Sequence, residues 1–195
     1  MTNFKAYRYD QSLITATATD GNYIWIAFTN VDGNCLLKKV SGHDLSQVYF
    51  SVPLAVEAIT NLFVLGEFVY ACVTDDDYVL YSLYTSAPFS LQYAYTKAEF
   101  GITEEFINGC VNTTDLYLLT PGNDSGTNAQ IVNIDSDATF VELIDLNDEE
   151  TVINANSLTI DGDGDIWVTT EGDPTIIYRV YYESAQWKIT EPNIT

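Results

Sequence analysis

One short pattern recurs four times along this chain and constrains its fold more than any other feature. A turn-forming residue leads into an apolar, strand-like run with an aromatic near its middle. The four copies are Asp20-Gly21-Asn22-Tyr23-Ile24-Trp25-Ile26-Ala27, Leu65-Gly66-Glu67-Phe68-Val69-Tyr70-Ala71-Cys72, Thr114-Asp115-Leu116-Tyr117-Leu118-Leu119 and Asp163-Gly164-Asp165-Ile166-Trp167-Val168-Thr169. Their central aromatics, Trp25, Tyr70, Tyr117 and Trp167, are 45, 47 and 50 residues apart.

The residues around each copy continue the repeat. A lighter strand precedes it, over Leu13–Thr19, Ala58–Val64, Phe106–Asn112 and Asn156–Ile160. A third strand follows at Cys35–Val40, Tyr78–Tyr84, Ala129–Ile134 and Thr175–Tyr182, and a fourth at Gln47–Val52, Leu91–Thr96, Thr139–Leu146 and Gln186–Thr190. The intervening turns are rich in Gly, Asn, Asp and Pro, which tolerate positive φ or preset a turn. The second strand is apolar on both faces, as in Ile24-Trp25-Ile26-Ala27-Phe28, and reads as covered on both sides. Outer strands such as Gln186-Trp187-Lys188-Ile189-Thr190 alternate with polar groups, as a partly wet edge should. No segment sustains helical periodicity with a cap and a stop. A period of about 40–50 residues is that of propeller blades. The expected fold is therefore all-β, a small β-propeller of about four four-stranded blades. An open half-propeller that closes by dimerisation and a β-sandwich are the alternatives. Residues 1–12 read as an N-terminal arm, and 13–195 as one domain with repeats at about 13–55, 56–103, 104–153 and 154–195.

The copies at 163–170 and 20–27 resemble the Asp-Gly-x-Ile-Trp-Val motif of sensor-type and lyase-type β-propellers. The resemblance implies that Asp-Gly turns the first hairpin of each blade and that the Trp packs between adjacent blades. Tyr70 and Tyr117 replace the Trp in the middle copies. Lyase-type propellers use histidines at the channel mouth, whereas this chain has one histidine, His43. The resemblance thus carries the fold and not the activity.

Charge narrows the function. Lys and Arg number 7 against 28 Asp and Glu, a formal net charge of −21. A nucleic-acid backbone binder needs a basic face, and an anionic membrane repels such a chain. The acidity does not signal disorder, because 47% of residues are hydrophobic and 13% aromatic, enough to build a core. The start lacks a signal-peptide-like apolar stretch, and no run approaches a membrane helix. Cys35, Cys72 and Cys110 are scattered through apolar runs, which fits buried thiols in a reducing compartment.

Catalytic motifs are missing: no Gly-x-Ser-x-Gly elbow, phosphate loop or His-Glu-x-x-His occurs. His43 lies in the polar turn Ser41-Gly42-His43-Asp44. Asp161, Asp163 and Asp165 alternate like the opening of a calcium loop and are the candidate metal ligands. A full loop would need Gly at 166 and Glu at 172, where Ile166 and Gly172 stand, and a tight hairpin accounts for the same residues. Tyr81, Tyr84, Tyr93, Tyr95, Tyr178, Tyr181 and Tyr182 suit protein or sugar contacts, or packing between blades. The expected function is a non-enzymatic structural or protein-interaction module, in its specific form a virion component associated with a phage capsid or tail, located in the virion or host cytoplasm. That form rests on a Tyr-, Asn- and Thr-rich, lysine-poor composition. The alternative is a ligand- or carbohydrate-binding or hydrolytic propeller with an acidic, calcium-binding central channel. No other cofactor is expected. Other protein subunits, in a homo-oligomer or larger assembly, are the expected partners. The expected contact strand holds Phe4, Lys5, Tyr7, Arg8 and Tyr9, with two of the seven basic residues. An unpaired strand of this kind readily extends a neighbouring sheet.

Overall fold

A computed structural model describes residues 13–29, 33–87, 89–123, 127–147, 152, 154–171 and 175–192. Phe4, Lys5, Tyr7, Arg8 and Tyr9 lie outside the described residues.

Among the described residues, sixteen strands follow in order. The first four are β1 Leu13–Thr19, β2 Tyr23–Thr29, β3 Cys35–Ser41 and β4 Val48–Leu54. Next come β5 Ala58–Leu65, β6 Phe68–Thr74, β7 Tyr78–Tyr84 and β8 Leu91–Thr96. β9 Asn108–Val111, β10 Asp115–Thr120, β11 Gln130–Asp135 and β12 Phe140–Asp145 follow. The last four are β13 Ala155–Ile160, β14 Ile166–Thr170, β15 Ile177–Glu183 and β16 Gln186–Thr190. Each run of four consecutive strands makes one antiparallel sheet, giving four sheets, or blades. Four separate sheets exclude the two-layer sandwich and fit a propeller. The innermost strands β1, β5 and β13 carry a register shift at corresponding places, Ile14/Ala16, Ile59/Asn61 and Ala155/Ser157. Such irregularities bend a strand and raise its twist, so these blades share one backbone design.

The first hairpins are built by side chains that hold backbone donors. Asp20 Oδ1 accepts from the amides of Asn22 and Tyr23 at 3.0 and 2.8 Å. Asn112 Oδ1 does the same for Thr114 and Asp115, at 2.8 and 2.7 Å. Gly21 and Gly164 both sit at φ +93°, a conformation that a side chain would strain. One helical turn, α1 Lys97–Phe100, departs from the all-strand expectation. Its Thr96–Glu99 capping box and left-handed Gly101 hold it in place. This turn delivers Phe100 into the core between the second and third blades.

Three hydrophobic clusters lie between successive blades. Trp25, Ala27, Cys35 and Leu37 of the first meet Val69, Ala71, Val73 and Leu83 of the second. Tyr70, Cys72 and Leu80 meet Leu116, Leu118, Val132 and Ile134 of the third. Tyr117, Leu119 and Ile131 meet Ile166, Val168, Tyr178 and Val180 of the fourth. A fourth cluster, Ile26, Phe28 and Val40 with Ile24, Leu36 and Leu45, belongs to the first blade. The inner strands β1, β5, β9 and β13 lie side by side in that order. Among the described residues, β13 does not pack on β1 as the other neighbours pack on each other, and no cluster joins the fourth blade to the first.

Candidate interaction surface

Alternate residues of a strand point to opposite faces, so each signature strand has a front, holding its central aromatic, and a back. Three of the four central aromatics face the next blade and are buried: Trp25 and Tyr70 at 0% exposure and Tyr117 at 7%. Trp167 occupies the equivalent front position but is half-exposed, because no described blade follows it. The expectation that its ring is buried between blades is corrected accordingly.

On β14, flanking Ile166 and Val168 turn back into the core with the third blade. That alternation leaves Trp167 and Thr169 on the front. Trp167 pairs across the sheet with Thr159 on one side and Arg179 on the other. Its indole Nε1 donates to Asp161 Oδ2 at 2.8 Å. Arg179 Nε donates to Asp165 Oδ2 at 2.7 Å, and its Nη2 forms an ion pair with the same carboxylate. The Arg179 guanidinium also lies over the Tyr181 ring, 4.8 Å from its centroid. The indole bond, with help from backbone amides, holds the Asp161 carboxyl below the usual carboxylate range. The bond to Asp165 raises Arg179 further above neutrality. The result is a flat strip of one indole, one guanidinium and one phenol, each fixed by a neighbour.

The three candidate metal ligands fall at the edge of this strip. Asp161 Oδ1 accepts from the amides of Asp163 and Asp165 at 2.9 and 3.1 Å, the same turn chemistry used by Asp20 and Asn112. Its other oxygen serves Trp167, and Asp165 serves Arg179, so these two carboxylates bind side chains on β14 and β15. Among the described residues, no group of three or more His, Cys, Asp or Glu is placed to hold a metal ion. His43 sits in a turn whose amides, with that of Asp44, donate to Ser41 Oγ at 3.1 and 3.2 Å.

The second and fourth blades each carry buried and exposed tyrosines. Tyr81, Tyr95 and Tyr178 are buried, Tyr84 and Tyr181 half-buried, and Tyr93 and Tyr182 exposed. Tyr93, Tyr95, Glu99, Phe100 and Phe140 line an open cleft of about 440 Å³ on the outer side of the second and third blades. Glu57, Asp75, Asp76 and Asp77 line an acidic cleft of about 450 Å³ between the first and second blades. There Asp75 Oδ1 is taken up by the amides of Asp77 and Tyr78.

The pattern of residues did not single out two features. Lys39 is 7% exposed; its Nζ donates to Thr85 O at 2.6 Å and stands 4.1, 5.1 and 5.5 Å from the ring centroids of Tyr23, Trp25 and Phe89. Burial lowers its pKa, partly offset by Asp20. Arg179 was equally unmarked, although its scarcity as one of seven basic residues was a usable signal.

No protein-family model and no curated protein matches the chain. Solved structures do. The computationally designed Ika4 protein aligns with TM-score 0.58 and 12% identity, over 91% of this chain and 96% of that one. The Cps50 (Swd1) β-propeller domain of Myceliophteria thermophila aligns with TM-score 0.60 and 13% identity, over 90% of this chain but 57% of that one. The extracellular domain of the hybrid two-component system BT3049 from B. thetaiotaomicron aligns with TM-score 0.51 and 8% identity, over 94% of this chain and 29% of that one. At these identities the likeness is one of fold. Together with the four blades it makes the chain an all-β, propeller-type protein. Among the described residues, no helix is long and apolar enough to cross a membrane.

Proposed function

We propose that the chain is a non-enzymatic protein-interaction module whose working surface is the front of the fourth blade. The observation that carries this reading is half-exposed Trp167, set between Arg179 and Thr159 at a position that is buried in every other blade. Trp, Tyr and Arg dominate binding hot spots, the two aromatics because they offer large area with few rotors to freeze and Arg because its planar guanidinium stacks and hydrogen-bonds. Here all three are held in place beforehand by Asp161, Asp165 and the stacked Tyr181, which lowers the entropy lost on docking. The finer form of the proposal is a structural component of a phage capsid or tail, working in the virion or host cytoplasm. Its support is the Tyr-, Asn- and Thr-rich, lysine-poor composition. Protein subunits are the proposed partners, since a chain of charge −21 lacks the basic stripe that nucleic acid requires.

The test is the native mass of the protein recovered without denaturant, with and without Trp167→Asp. A particle larger than one chain that is lost in the variant supports the reading. A single chain that binds or cleaves sugars, with a melting temperature set by calcium, overturns it in favour of a ligand-binding propeller.

A further inference from the structure

We infer that the aromatic cleft on the outer side of the second and third blades is a binding site for an arginine side chain presented by a protein partner. This site is separate from the fourth-blade front and stands or falls without it.

The cleft, of about 440 Å³, joins β8 and α1 to the turn between β11 and β12. Four rings run through it. Tyr93 meets Tyr95 edge-on at 4.7 Å, Tyr95 stacks on Phe100 at 5.2 Å, and Phe100 meets Phe140 edge-on at 5.4 Å. The inner two are buried, whereas Tyr93 and Phe140 at the ends are exposed. Two carboxylates share the cleft. Glu99 accepts from Tyr93 Oη at 2.5 Å and from the Thr96 amide at 2.7 Å, and these bonds hold its carboxyl below the usual carboxylate range. Asp137 is placed by its turn: Asp135 Oδ1 accepts from the amides of Asp137 and Thr139, and Tyr95 Oη donates to Ala138 O. Among the described residues, the Asp137 carboxylate accepts no hydrogen bond, and no Lys or Arg lines the cleft. Lys97, beside it in sequence, is paired with Glu105 at 3.6 Å.

The face of an aromatic ring attracts a cation, and a neighbouring carboxylate adds charge and acceptors. This protein seats its own cations in that way. Arg179 lies over Tyr181 while bonded to Asp165, and Lys39 stands among Tyr23, Trp25 and Phe89 while donating to Thr85 O. The cleft repeats the rings and carboxylate of the Arg179 site without a cation from this chain. A guanidinium suits it better than an ammonium, because a planar group can lie on Tyr93 or Phe140 and fork to Asp137 at once. The chain's charge of −21 draws a basic segment in and turns an acidic one away.

The experiment titrates the ¹⁵N-labelled full chain with acetyl-Gly-Arg-Gly amide or its citrulline counterpart, which keeps the shape and loses the charge, each to about 20 mM at low salt. The arginine peptide should bind at least about fivefold more tightly than the citrulline peptide, with amide shifts centred on 92–99 and 137–140. Phe140→Leu, which removes a ring and keeps apolar bulk, should weaken binding about two- to fivefold, and Asp137→Asn by a similar factor. Asp76→Asn removes the same charge from the acidic cleft between the first and second blades and should weaken binding by less than either. Equal binding of the two peptides, binding of neither, or equal losses in Asp137→Asn and Asp76→Asn overturns the proposal. So does methyl β-glucoside shifting these amides when the arginine peptide does not, which would make the cleft a sugar subsite.

Discussion

Trp25 and Trp167 sit at the same place in two copies of one motif, yet they live in opposite surroundings. Trp25 is fully buried: Lys39 stands over its ring, Phe50 meets it edge-on at 6.1 Å, and its indole nitrogen has no hydrogen-bond partner. Trp167 is half-exposed, and its indole nitrogen is bonded to Asp161. The difference lies not in the strand but in whether another blade stacks in front of it. A blade motif therefore specifies an apolar, aromatic face, and its place in the series decides whether that face is buried as core or stays partly open.

The largest expected effect separates these two tryptophans. Trp25→Ala should lower the unfolding free energy by about 3–5 kcal/mol, since it empties a packed seam. Trp167→Ala, measured on dilute single chains, should stay within about 1 kcal/mol of the parent. Urea titration of both variants checks this, and equal losses would mean that the fourth blade is as well covered as the first. Trp25→Phe should cost much less than Trp25→Ala, because no hydrogen bond is lost with the indole nitrogen.

Alkali should attack the seams and spare the open face. Burial pushes the Tyr117 hydroxyl up to about 12 and the Cys110 thiol up to about 11, and it raises Tyr70 and Tyr95 as well. Groups whose pKa is raised on folding hold their protons more tightly in the native state. They stabilise fully below their unfolded pKa, and that contribution drains away as pH climbs toward the folded value. Stability should therefore fall between about pH 9 and 12, with tyrosinate absorption appearing together with unfolding. Lys39, whose pKa is lowered, works the other way, adding stability as pH rises toward 10.5. Lys39→Met should make the alkaline decline steeper. A gradual tyrosinate signal in a still-folded protein would show that the seams are wetter than their packing implies.

The smallest effect is expected at the open face itself. Asp161→Ala removes the acceptor of the Trp167 indole and two turn bonds. The unfolding midpoint should shift only slightly, while Trp167 emission changes. A large loss of stability would mean that this turn carries the fourth blade.

Much of the strand plan was readable in the sequence. Leu13–Thr19, Tyr78–Tyr84, Leu91–Thr96 and Gln186–Thr190 have the expected limits, because alternation and turn residues both end there. The strand expected at Phe106–Asn112 is shorter, Asn108–Val111, with Phe106 turned into the core instead. The single turn α1 is too short to show periodicity, although Thr96, Glu99 and Gly101 mark it. The exposure of Trp167 could not be read, since pattern tells which residues face a neighbouring blade and not whether one is present. The side-chain bonds of Asp161 to Trp167 and of Asp165 to Arg179 could not be read either, since they join a turn to strands β14 and β15 through the fold.

The most direct test of the open fourth face is ¹⁹F NMR of the protein carrying 5-fluorotryptophan, with each resonance assigned by substitution. The solvent isotope shift between H₂O and D₂O reports the exposure of each ring. Trp167 should show a clear shift and Trp25 none. A Trp167 resonance as shielded as that of Trp25 would mean that the front of the fourth blade is covered, contradicting its exposure.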